Sequence, residues 1–150
     1  MNVFQSLEAS GIAEWVGSST IGYPLMLTSH GIGMAAVVGT FFILNIRLLG
    51  GFKGIDFFAF NRLLKITWAA FVLNFISGCA LFVAQATVFI ESTPFLIKIS
   101  AIFLAGINAA FMQNALRLNA TGWDGGEKIP ATVRVLALSS LILWSSAVIA

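Results

Sequence analysis

Charge is what this sequence has least of: Asp, Glu, Lys and Arg make up 9% of its 150 residues, against roughly a quarter in an ordinary soluble domain. Hydrophobic residues make up 59%, more apolar surface than a soluble fold of this size could hide. The single cysteine, Cys79, excludes an intrachain disulfide framework. The single histidine, His30, leaves no pair of imidazoles within one chain. Only three prolines occur, Pro24, Pro94 and Pro130, each where a helix is expected to begin. No basic cluster marks a nucleic-acid surface. Paired carboxylates, a nucleophile with its base, and a phosphate loop are all missing, which argues against hydrolytic or phosphoryl-transfer chemistry. The N-terminus lacks the positive segment of a secretory signal, so no cleaved leader is expected.

What the chain does contain is four stretches free of acidic and basic side chains apart from the titratable His30. They run between Glu14 and Arg47, Lys65 and Glu91, Lys98 and Arg117, and from Arg134 onward. A membrane span needs about 20 mainly apolar residues. The expected fold is therefore all-α, an integral membrane four-helix bundle of up-down-up-down order forming one transmembrane domain over residues 1–150. The spans are predicted at about 23–49, 60–90, 94–117 and 129–150, with Arg134 snorkelling toward the headgroups. Ahead of them, Phe4, Leu7, Gly11, Ile12, Trp15 and Val16 recur at helical spacing opposite Gln5, Glu8 and Glu14. That pattern predicts an amphipathic helix over residues 3–17 lying in the interface.

The eight basic residues are unevenly placed. Arg47, Lys53, Arg62 and Lys65 follow the first span, and Arg117, Lys128 and Arg134 follow the third. The N-terminal segment and the loop at Glu91 carry only Lys98. Because cytoplasmic loops collect Lys and Arg, both termini are expected on the periplasmic side. Small residues every fourth position let helix backbones approach in lipid. On that ground the stripes Gly31, Ala35, Gly39 and Ala101, Ala105, Ala109 are expected to face other helices. Asn74 and Asn108, both near mid-membrane, are expected to hydrogen-bond to each other. Arg47 and Arg134 read as interface anchors, or alternatively as an anion or lipid-headgroup pocket.

His30 is the most informative position. An ionisable side chain about two turns inside a span is a candidate functional site, because lipid does not repay its desolvation. Gln85 and Lys98 are expected at a similar depth. In one reading His30 is structural, donating to a backbone carbonyl or to Gln85 and cementing the bundle. In the other it is a ligand. Met26, His30 and Met34 are spaced four apart and share a helix face, and thioethers beside an imidazole suit Cu(I), with Cys79 as a further ligand. Haem b is the alternative cofactor, held by His30 with Lys98 at its propionates. Its second axial ligand is then Met26, Met34 or His30 of another subunit.

His30-Gly31-Ile32-Gly33 through Gly39 to Arg47-Leu48-Leu49-Gly50 resembles a family of small four-helix bacterial inner-membrane proteins. Ser77-Gly78 with Leu81-Phe82, Phe95 with Lys98, Ala105 with Asn108, and Pro130 with Arg134 extend the likeness over nearly all the chain after residue 22. Those proteins are loosely similar to copper-resistance D-type and cytochrome b-like membrane proteins. The resemblance singles out His30, Arg47, Lys98 and Arg134 and implies no activity. Family members often carry a further histidine on the third helix, where this chain has Met112. Together these features lead to an expected redox-cofactor protein, haem b ahead of copper, with cofactor contacts at His30, Met26, Met34, Lys98 and Gln85. The competing expectation is a non-catalytic packing subunit of a homo-oligomer or larger membrane complex. A third, an ion or small-molecule pathway along Lys98, Gln85, His30 and Asn108, lacks the broken helices in matching halves that such pathways use.

Overall fold

The computed structural model describes residues 1–150, and all its regular structure is helical. In chain order the helices are α1 (Val3–Glu8), α2 (Gly11–Ser18), α3 (Gly22–Leu48), α4 (Phe57–Ala84), α5 (Ala86–Glu91), α6 (Thr93–Asp124) and α7 (Ala131–Ile149). Helices α3, α4, α6 and α7 are each long and apolar enough to cross a bilayer. Their outward faces are apolar too: Ile66, Phe75, Phe103, Phe111, Val135 and Ile142 are each more than 60% exposed. Water would not tolerate such a surface, whereas hydrocarbon does, and each helix satisfies its own backbone. The chain is a multi-pass membrane protein of the all-α class, its long helices facing lipid.

Its contacts form two compact units, residues 1–37 with 68–96, and residues 38–67 with 97–150. In the first unit the predicted single helix over residues 3–17 is two short helices. Asn2 and Gln5 form a reciprocal capping box that starts α1. The Ser10 hydroxyl then accepts the Ala13 N–H and starts α2 afresh. The second predicted span, 60–90, is likewise interrupted. Helix α4 begins earlier, at Phe57, and stops at Ala84, where Gln85 leaves helical geometry before α5.

Helix α1 is tied to α5 by one carboxylate. Glu8 Oε1 accepts both the Thr87 N–H, at 2.9 Å, and the Thr87 hydroxyl, at 2.7 Å. The hydroxyl bond first, then the backbone bond, hold the Glu8 carboxyl below the usual glutamate range, against a smaller opposing effect of desolvation. A carboxyl with a depressed folded-state pKa stabilises fully above its unfolded value and loses that contribution as pH falls through the lowered one. The protection of the α1 amides, their exchange rate relative to the intrinsic rate at the same pH, is therefore expected to hold at neutral pH and to fall on acidification below the ordinary glutamate pKa. Glu8→Gln, with no charge to remove, should abolish that pH step, and a step surviving in Glu8→Gln would refute the assignment.

In the second unit all four long helices meet. Phe41 stacks on Trp144 with ring centroids 5.4 Å apart, and Asn45 Nδ2 donates to Ser140 Oγ at 2.8 Å. Positions rise along α3 as they fall along α7, so the two run antiparallel. Leu44, Leu48, Leu64, Leu116 and Ala137 are buried in this unit. The small-residue stripe of α6, Ala101, Ala105 and Ala109, is buried. Helices α3 and α6 end in the same way, on Gly50 and Gly126 at positive φ. In each, the amide of that glycine and the one after it fold back on the last turn, Gly50 to Arg47 and Gly51 to Ile46, Gly126 to Trp123 and Glu127 to Gly122.

Helix α6 runs on past the predicted end near residue 117 to Asp124, whose carboxylate caps α4 by accepting the N–H groups of Phe57 and Phe58 at 2.7 and 3.0 Å. Arg47 lies over the Phe57 ring, 4.0 Å from its centroid, and its Nε donates to the Ile55 carbonyl. These contacts anchor the guanidinium to the α3–α4 connection.

Candidate functional site

The only histidine sits in the first unit, where α3 crosses α4. Its Nδ1 lies 3.0 Å from the Asn74 carbonyl oxygen and 3.3 Å from Ser77 Oγ. A carbonyl oxygen can only accept, so Nδ1 carries a proton, and in the neutral imidazole the lone pair is then on Nε2. The Ser77 hydroxyl already donates to the Leu73 and Asn74 carbonyls, at 2.8 and 3.1 Å, which leaves its oxygen as a second acceptor for the same N–H. The imidazole is thereby fixed in tautomer and pointed by its backbone partner. Nε2 makes no hydrogen bond within the chain.

Two glycines make this crossing close enough. A Cβ on Gly78 would stand 3.1 Å from His30 Cε1 and 3.3 Å from Nδ1, so the bare backbone there gives the ring its seat. A Cβ on Gly33 would stand 2.9 Å from Asn74 Cβ and 3.0 Å from both the Ala70 oxygen and the Asn74 nitrogen. Gly33 thus brings α3 against the α4 backbone. As positions rise from 30 to 33 on α3, their partners fall from 77 and 78 to 70 and 74 on α4, an antiparallel pair. The stripe expected to do this work does not. Gly31 and Gly39 have no neighbour where a Cβ would sit, and Ala35 is exposed.

The other sequence-predicted site residues divide. Met26 and Met34 are half-buried on α3, one turn to either side of His30. Met26 shares the wall of an open, almost wholly apolar groove of about 450 Å³ with the exposed Cys79 thiol and with Ile12, Trp15 and Phe75; His30 does not line it. Gln85 is exposed at the α4–α5 break and makes no bond to His30. His30 sits level with Asn74, Ser77 and Gly78, about two turns along the helix from residue 85, so the two are not at the shared depth expected. Lys98 is half-buried on α6, in the second unit. No three His, Cys, Asp or Glu side chains gather where they could hold a metal ion.

The expected Asn74–Asn108 pair is not formed either. Asn108 Nδ2 donates instead to the Leu136 carbonyl and Ser139 Oγ on α7, at 3.1 and 3.0 Å, and Asn74 Oδ1 is buried without a donor. Both amides were placed by depth alone, and depth leaves open which way round its helix a side chain faces. Sequence reasoning missed Gly33, Gly78 and Ser77 as parts of the imidazole's setting. The signal available was the Ser-Gly pair in mid-span, whose small side chains leave both a hydroxyl and a free backbone face. Comparison with protein families, curated proteins and solved structures found no match for this chain, and its site is read from its own geometry.

Proposed function

We propose that this is a small bacterial inner-membrane protein, with both termini on the periplasmic side, that holds a redox cofactor on His30, haem b ahead of copper. The observation that supports it is the polarity of the imidazole. Its Nδ1–H is committed to the Asn74 carbonyl while the Nε2 lone pair has no partner in the chain. Histidines that bind metals characteristically donate their other N–H in this way, which fixes the tautomer and raises the basicity of the ligating nitrogen. Haem b would supply one-electron transfer at such a ligand.

Met26 and Met34 leave the same helix face as His30, so neither can approach a porphyrin from the side opposite to it. In this reading His30 of a second copy would supply the other ligand, and the assembly would be two-fold symmetric. Copper ranks second because the thioether of Met26 and the thiol of Cys79 share a groove that His30 does not line. Positive charge gathered in the Arg47–Lys65 and Arg117–Arg134 segments supports the orientation.

Protein purified from membranes of haem-supplied cells is expected to show a Soret band with one haem per two chains. A protein with no Soret band, and no metal on elemental analysis, would remove the reading. A second reading, a packing subunit of a homo-oligomer or larger membrane complex, is favoured by the same Nδ1 bond and by the Gly33 and Gly78 contacts, which serve helix association in their own right.

A further inference from the structure

We propose that the α3–α4 connection binds an anionic phospholipid, with the lipid phosphate held by the two Nη groups of Arg47. Charge at this end of the second unit is unbalanced. Seven of the eight basic residues fall in the segments 47–65 and 117–134, against only Asp56, Asp124 and Glu127 there. The two segments meet, because Asp124 at the end of α6 caps the start of α4. Asp124 spends both carboxylate oxygens on backbone amides, and no basic side chain pairs with an acidic one. Like charges gathered without counter-ions repel one another, and an anion bound among them relieves that repulsion.

Arg47, half-buried in the last turn of α3, has its head group fixed at two points. Its Cζ lies 4.0 Å from the Phe57 ring centroid, and its Nε donates to the Ile55 carbonyl at 2.8 Å. Both supports are themselves held. Phe57 is 1% exposed, stands edge-on to Trp123, and gives its N–H to Asp124. Ile55 closes a turn by donating its own N–H to the Phe52 carbonyl at 3.0 Å. A guanidinium carries one Nε–H and two Nη groups. The first is spent on Ile55, and neither Nη group has an acceptor within the chain. A planar fork fixed in place with these donors free suits two oxygens of one phosphate.

The rest of the connection selects a lipid over a free anion. Phe52 is 53% exposed and Phe58 66%, and Leu49 and Ile55 are exposed with them. Phe52 also keeps a positive φ of 48°, which is uncommon for a bulky side chain and which burial of the ring does not explain. Exposed aromatic rings among unpaired cations belong where headgroups meet acyl chains. A phospholipid offers phosphate and hydrocarbon in one molecule, whereas inorganic phosphate would use the charge alone. The site requires neither a cofactor on His30 nor a particular orientation of the termini.

The test follows thermal unfolding of the full chain in neutral detergent as phosphatidylglycerol, phosphatidylcholine or inorganic phosphate is added. A ligand of the folded state raises the Tm as its concentration rises. Phosphatidylglycerol is expected to do so and the other two are not. An equal rise with phosphatidylcholine overturns the proposal without any variant, and a rise reproduced by inorganic phosphate overturns the lipid. At high ionic strength, where exposed charges are screened, Arg47→Gln should need about tenfold more phosphatidylglycerol for the same rise over its own lipid-free Tm. Arg117→Gln, which removes an exposed charge from the same end, should titrate like the unaltered chain. Equal losses in the two variants would mean diffuse attraction and no site at Arg47. Arg47→Lys keeps the charge and the reach but not the fork, so it should also be weakened, and an unchanged titration there would rule out the Nη pair as the holder.

Discussion

Gly33→Ala is expected to destabilise the protein by about 1–3 kcal/mol, the usual cost of forcing extra volume into a tight contact. The added methyl would meet Asn74 Cβ at 2.9 Å and two backbone atoms of α4 at 3.0 Å. Backbone atoms cannot step aside as the tip of a flexible side chain can, so α3 must lift off α4 or rotate. Either movement pulls His30 from the Asn74 carbonyl, since residue 33 lies less than one turn from residue 30. Gly31→Ala and Gly39→Ala provide the contrast. No neighbouring group stands within 4 Å of the added methyl at either position, and each should leave stability unchanged or raise it by up to about 1 kcal/mol through helix propensity. Unfolding of the three variants in mixed detergent micelles would measure this, and equal stabilities would mean that α3 and α4 do not cross at Gly33.

That contrast also marks how far the sequence could be read. The four long helices were legible because uncharged stretches of sufficient length have one stable solution in lipid. Their ends were less so. Helix α6 runs on to Asp124 because that carboxylate caps α4, and α4 stops at Ala84 because Gln85 leaves helical geometry. Which way each helix faces was the least legible. In a soluble protein the apolar stripe points to the core, but here lipid is as apolar as the core and the stripe carries no direction. Gly31, Ala35 and Gly39 formed the better pattern, yet Gly33 makes the contact. Shared depth also paired Asn74 with Asn108, whereas Asn108 turned to α7. That His30 would donate to a backbone carbonyl could be foreseen as one of two outcomes. That the carbonyl would be that of Asn74 could not, because backbone acceptors leave no mark on the sequence.

His30→Ala is expected to remove all bound haem if the imidazole is the ligand, with Met26→Leu and Met34→Leu retaining one haem per two chains. Gly78→Ala should give an intermediate result. Its methyl would crowd Cε1 at 3.1 Å and Nδ1 at 3.3 Å, tilting the ring away from its seat without deleting it. Disturbing the groups that orient a ligating histidine typically lowers affinity by about 10–100-fold. The packing reading makes a different set of predictions for the same residue. Under it His30→Ala costs about 1–3 kcal/mol by leaving polar groups unmatched, and no chromophore is present to lose. His30→Gln separates the two. Glutamine keeps an N–H that can reach the Asn74 carbonyl but offers no imidazole nitrogen to iron. Wild-type stability in His30→Gln together with a wild-type protein that is colourless and metal-free on elemental analysis leaves helix association as the histidine's role. A coloured wild type whose Gln variant is stable but colourless identifies Nε2 as the working atom, because only the lone pair differs between two side chains that hold α3 to α4 equally well.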